Sequence, residues 1–117
     1  MAHLRTAEML AKYRSYLREI EGSTECVLCA KESLKQFTHW RIVQNRFPYD
    51  LIAETHHMLI PNRHVVEDDL TVEELVEIKL IKQGIINETY DWMLEPTHKN
   101  KSMPAHFHLH LLVGKVS

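Results

Sequence analysis

Long apolar runs, net charge and cysteine are all scarce in this 117-residue chain. No stretch approaches the roughly twenty apolar residues that a membrane-spanning helix requires. The opening "MAHLRTAEML" lacks the apolar core of a secretory signal. The formal charge is −2 with histidines neutral, so bulk charge addresses neither nucleic acid nor a membrane surface. There are two cysteines, Cys26 and Cys29, in "CVLC". Without an export signal that spacing points to a metal or redox pair in a reducing cytoplasm rather than to a structural disulfide. Internal repeats and low-complexity tracts are also missing. With 44% apolar and 26% charged residues, the chain has the length and composition of one small globular domain.

What is plentiful is histidine, nine residues in all. Three of them, His106, His108 and His110, stand at every second position in "MPAHFHLHLLVGK". On a strand, side chains two apart share a face. The alternation therefore predicts a row of imidazoles on one side and Phe107, Leu109 and Leu111 packed on the other. Such a row suits three chemistries: metal ligation by His-x-His pairs, attack of a neutral imidazole on phosphorus beside a charge-stabilising neighbour, or a proton relay.

The rest of the chain supplies a frame. "TAEMLAKYRSYLREIEGS" carries Leu10, Tyr13, Leu17 and Ile20 at helical spacing and ends near Gly22. "HWRIVQNRF" and "HHMLIPNRH" read as strands, the second closed by Pro61. "DDLTVEELVEIKLIKQGIINETY" is the clearest helix, opened by a Thr71–Glu74 capping box, with Leu75, Ile78, Ile81 and Ile85 on one face. "YDWMLEP" fits either a helix end or a short strand, and "PTHKNKSMP" is a loop. Separate blocks of strands and helices predict an α+β fold, an antiparallel sheet packed by one long helix, with an extra N-terminal helix.

"HFHLHLL" resembles the His-φ-His-φ-His-φ-φ signature of the histidine triad superfamily of nucleotide hydrolases and transferases. "NRFPYD" (residues 45–50) and "HMLIPNRHV" (residues 57–65) are similar to the Asn-Arg-Tyr-Pro-Tyr and His-Leu-Met-Val-Pro-x-Arg-His-Val blocks of dinucleoside polyphosphate hydrolases, a few residues further apart here. The upstream CxxC resembles that of zinc-bearing members. The resemblance covers residues 24–113. It implies a nucleotide-binding domain at 24–117 preceded by a helical extension at 1–23.

It also implies roles. His108 is the expected nucleophile at a nucleotide α-phosphorus, forming a nucleotidyl-histidine. His110 is the expected hydrogen-bond donor to a non-bridging oxygen. Histidine rather than glutamine at that third place leans towards hydrolysis over transfer. Cys26, Cys29, His64 and His106 are the implied ligands of a structural zinc, with His57 the competing ligand. Asn45 is the implied ribose partner. A homodimer acting on a small nucleotide in the cytoplasm is the implied assembly. His56, His39 and His98 are expected on the surface, and His3 in the N-terminal tail.

One departure stands out. The family's glycine-rich phosphate loop is here "EPTHKNKSMPAH", without glycine. Glu95 falls where the family has Asn, and Ser102, a candidate phosphate donor, where it has Gln. Lys99 and Lys101 could supply the positive charge that backbone amides supply elsewhere. The departure keeps two other functions open: a zinc-stapled nucleotide binder with little or no catalysis, and a metal enzyme using the three triad histidines directly.

Overall fold

A computed structural model describes residues 4–97 and 105–116. The first helix, α1, spans Ala7–Glu19; its N-cap Thr6 accepts the Met9 N–H. Gly22 follows with φ of +84°, a left-handed conformation that glycine adopts without steric cost. The strands are β1 (Ser33–Gln36), β2 (Trp40–Gln44), β3 (Ala53–Pro61), β4 (Trp92–Leu94) and β5 (Leu109–Gly114). They form one antiparallel sheet in the order β1-β2-β3-β5-β4. The ambiguous "YDWMLEP" is thus a strand. β1 has no counterpart in the sequence reading: all four of its residues are exposed, so it carries no burial alternation.

Helix α2 (Val72–Ile81) runs through a π turn at Lys82–Ile86 into the short α3 (Asn87–Thr89). The expected capping box is present: Glu74 N–H donates to Thr71 Oγ1 at 3.1 Å, and Thr71 N–H to Glu74 Oε1 at 2.9 Å. Glu74 also takes an ion pair from Arg63 at 2.8 Å. The Arg63 hydrogen bonds are the main force that pulls its carboxyl down to a pKa of about 2, so the charge is buried but fully partnered.

One sheet face meets this helix. Trp40, Ile42, Leu59, Phe107, Leu109 and Leu111 pack there with Ile81 and Ile86, bordered by Ile78 and Ile85. Leu75 is a correction to the sequence reading: it is exposed, on the outer side with Val72, Val76 and Leu80. Glu74 takes the inward place one residue earlier because Arg63 and the cap hold it there. The helix therefore carries two apolar sides, one of them uncovered. Among the described residues no helix is long and apolar enough to cross a membrane.

Candidate functional site

The opposite sheet face is set by pairing register. Val43 pairs with Met58, and Met58 with His110; His56 pairs with Leu112. Directly paired residues share a face, so the even-numbered residues of β3 and β5 stand together. Here the interior contains Leu28, Val43, Met58 and Ile60 together with the triad. The predicted split between imidazoles and apolar residues is present, although the β5 ladder begins only at Leu109. Upstream, Phe107 N–H donates to the Val65 carbonyl and holds the first half of the triad beside the end of β3.

The histidines of the row have different surroundings. At one end, Cys26, Cys29, His64 and His106 bring ligand atoms within 4.8 Å of one another. His106 Nδ1 lies 3.4 Å from each cysteine sulfur, and His64 Nδ1 lies 3.4 Å from Cys29. His106 Nε2 donates to the Pro61 carbonyl at 3.2 Å, which fixes the tautomer and leaves the Nδ1 lone pair aimed at the sulfurs. That is the usual outer-shell arrangement of a ligating histidine. Burial and the adjacent Cys26 thiol raise the Cys29 pKa, a bias that a bound cation would reverse. The four residues could hold a metal ion. His57 is not among them; on the helix side of β3 it meets the Tyr90 hydroxyl at 2.6 Å.

At the other end, His108 and His110 line a cavity between the sheet and α1, about 620 Å³ with its open mouth included. His108 Nδ1 donates to the His106 carbonyl at 2.9 Å, so the neutral ring carries its lone pair on Nε2. Behind the two lies His56, which the sequence reading placed on the surface. It is 1% exposed, because β3 turns its even positions onto this face. Its Nδ1 accepts the Tyr49 backbone N–H at 2.9 Å. That contact puts the ring's proton on Nε2, 2.7 Å from His110 Nδ1. His110 in turn carries its proton on Nε2, 3.4 Å from the Tyr49 hydroxyl. Burial, with smaller contributions from neighbouring histidines and Arg5, pushes His56 down to about 3 and His110 down to about 2. Both rings are therefore neutral at physiological pH, and His110 presents an N–H rather than a charge.

Asn45 lines the cavity, buried, with Oδ1 accepting the Phe47 N–H at 2.9 Å; its Nδ2 stands 3.1 Å from His56 Nε2, two donors side by side in this tautomer. His39 is half-buried rather than on the surface, its backbone N–H donating to Glu77. Ser102, Lys99, Lys101, His98 and His3 lie outside the described residues.

Sequence reasoning missed the contribution of the N-terminal segment. Tyr13, Tyr16 and Leu17 of α1, with Ile20 just after it, form one wall of the cavity, and Arg5 reaches into it. Arg5 Nε donates to the Phe47 carbonyl at 2.8 Å, and its guanidinium stacks over Tyr13 and Tyr49. The apolar stripe Leu10-Tyr13-Leu17-Ile20 was legible; that it covers the histidine face required the three-dimensional path.

The fold, a five-stranded antiparallel sheet with a long helix on one face, has counterparts of known structure. Three solved structures share it. A histidine triad protein from Clostridium difficile superposes with a TM-score of 0.53 at 16% identity, covering 80% of this chain and 94% of that one. A HIT-like protein gives 0.53 at 20% identity, covering 86% and 98%. A HIT family hydrolase from Legionella pneumophila Philadelphia 1 gives 0.52 at 19% identity, covering 79% and 95%. No protein-family model and no curated protein matches the sequence.

Proposed function

We propose that the chain is a histidine triad hydrolase that cleaves a nucleotide at its α-phosphorus through a nucleotidyl-His108 intermediate. The observation that carries this reading is the fixed tautomer of His108: Nδ1–H is tied to the His106 carbonyl, and the ring lines the cavity between the sheet and α1. In the first step Nε2 attacks phosphorus. An N–P bond forms and the bond to the leaving group breaks, its electron pair going with the leaving group. In the second step water attacks the same phosphorus and gives up a proton to solvent, the N–P bond breaks with its electron pair returning to Nε2, and nucleoside monophosphate leaves with the ring neutral again. Splitting one displacement into two uses a good nucleophile that is also a good leaving group. His110, held neutral, donates its Nε2 hydrogen to a non-bridging oxygen, help commonly worth about 10²–10³ in rate. Asn45 contacts the ribose, and Ser102 is the candidate donor to the phosphate.

Cys26, Cys29, His64 and His106 hold a structural zinc. Tetrahedral zinc with Zn–S near 2.3 Å and Zn–N near 2.0–2.1 Å separates sulfur from nitrogen by about 3.5 Å; Cys26–His106, Cys29–His106 and Cys29–His64 are each 3.4 Å apart. The site ties the segment after α1 to the end of β3 and stands one carbonyl away from His108. The uncovered apolar side of α2, with Val72, Leu75, Val76 and Leu80, and the exposed Trp92 on edge strand β4, form the contact of a homodimer that works in the cytoplasm.

The test is release of monophosphate from adenosine and guanosine phosphoramidates, dinucleoside polyphosphates and nucleotide sugars by wild type and His108→Asn. Wild type turns over at least one class; the variant binds nucleotide, keeps its circular dichroism and releases none. A second reading, a zinc-stapled nucleotide binder, is favoured by the lack of glycine between Glu95 and His106. Nucleotide binding without turnover of any class by wild type would establish it.

A further inference from the structure

Three cations reach the cavity from three separate segments: Arg5 ahead of α1, Lys31 after the CxxC, and Arg46 after β2. Among the described residues, no aspartate or glutamate lines the cavity, and none of the three cations forms an ion pair. Convergent positive charge without a counter-ion is unfavourable in a partly desolvated space. Aromatic rings soften this cost without cancelling it. Arg5 lies 4.1 Å from the Tyr13 ring centroid, and Arg46 lies 5.1 Å from Tyr16 and 5.2 Å from Phe47. Cation–π contacts leave the N–H edges available, and only one of Arg5's five N–H donors is spent on the Phe47 carbonyl. With His56 and His110 kept neutral, these three side chains dominate the charge at the cavity.

We propose that Arg5, Lys31 and Arg46 form an anion subsite for the phosphates of the leaving group, beyond the phosphorus that His108 attacks. The proposal rests on the nucleotide reading above and adds the substrate class: a nucleotide esterified through a phosphoanhydride, not one with a neutral leaving group. Side-chain cations from three segments here provide the charge that backbone amides of a glycine-rich loop provide elsewhere. Charge-assisted hydrogen bonds to phosphate oxygens are the strong ones, and their loss is read directly as affinity.

The experiment is isothermal titration of the metal-replete full chain, in a His108→Asn background that blocks turnover. The ligands are adenosine and guanosine mono- and triphosphates and inorganic triphosphate. The nucleoside triphosphates bind about tenfold more tightly than the monophosphates. Lys31→Ala and Arg46→Ala each remove about tenfold from the triphosphates and change the monophosphates by less than about twofold. Arg46→Lys restores part of the loss, and inorganic triphosphate binds the parent but not the Lys31→Ala/Arg46→Ala double variant. Equal affinity for mono- and triphosphates overturns the subsite. So does an equal loss for both, or unchanged inorganic triphosphate binding in the double variant. Capture of inorganic triphosphate through Lys31 and Arg46, with no nucleotide bound, would leave the anion subsite standing and remove the nucleotide reading.

Discussion

On one face of the sheet Leu59, Leu109 and Leu111 meet α2 and its π turn; on the other, one residue along, His56, His108 and His110 back onto a cavity. The strands are the same and the burial is equally deep. The helix face gains from non-directional apolar contact, for which any well-packed neighbour will do. The histidine face offsets the cost of burying polar rings by a chain of directed contacts: Tyr49 N–H to His56, His56 to His110, and the His106 carbonyl to His108. Among the described residues every buried side-chain nitrogen or oxygen stands within hydrogen-bond distance of a partner. A sheet can thus carry its stability on one side and place poised, neutral rings on the other, provided that every ring nitrogen has an assigned role.

The comparison breaks most visibly on the apolar side. Leu59 is fully buried in the centre of the sheet, and Leu59→Ala is expected to cost about 3 kcal/mol in urea denaturation, with metal content unchanged. A loss below about 1 kcal/mol would show that the helix face is not where the fold is held.

Acid comes next and acts on the other face. An unfolded histidine titrates near 6.5, while His56 and His110 in the fold are held down to about 3 and about 2. Between those limits the unfolded chain binds the protons and the folded rings do not. Stability therefore rises with pH across this window and is lost as pH falls below about 6.5, by up to about 1.4 kcal/mol per pH unit for each ring. Denaturation midpoints between pH 7 and pH 5 should show this slope, and His56→Phe/His110→Phe should flatten it. An unchanged slope in that variant would place the acid sensitivity elsewhere.

Glu74 sharpens the contrast from inside the apolar side. It is the one buried carboxylate among the described residues, and it is retained because Arg63 and the Thr71 N–H complete its shell. Glu74→Gln keeps the shape and weakens both partners, at an expected cost of about 2 kcal/mol. At pH 3, below the usual carboxylate range but above the folded value of about 2, the difference between wild type and variant should shrink as the unfolded chain takes up its proton.

Most of this contrast was legible in the sequence where periodicity and chemistry coincided. The alternation from His106 to Leu111 told which residues face which way, and Thr71 with Glu74 marked the helix start. The Cys26, Cys29, His64 and His106 cluster followed from family resemblance and is brought together in space. Three things were hidden for physical reasons. β1 is an exposed edge with no burial pattern to read. His56 and His57 are adjacent, and only pairing with β5 decides which of them joins the triad face. Leu75 looked inward by spacing alone, but Glu74, paired with Arg63, takes the buried place, and Leu75 lies on the exposed side with Val72, Val76 and Leu80. The cationic wall was hidden because Arg5, Lys31 and Arg46 are far apart in sequence and converge only when α1 crosses the histidine face.

The smallest expected effect concerns that crossing. Helix α1 contains no buried residue, so it adds little to the shared core. It is fastened near its start: Thr6 donates its N–H and hydroxyl to Asp50 at 2.7 and 2.8 Å, and its Oγ1 caps Met9. Removing that hydroxyl in Thr6→Ala takes away a cap and one Asp50 contact, about 1 kcal/mol of local stability. Because the helix opens apart from the sheet, the loss should appear as about fivefold faster amide exchange along α1, with β3 and β5 unchanged. If exchange in β3 and β5 accelerates in step with α1, the helix belongs to the cooperative core, and the two faces are not separable in the way their chemistry implies.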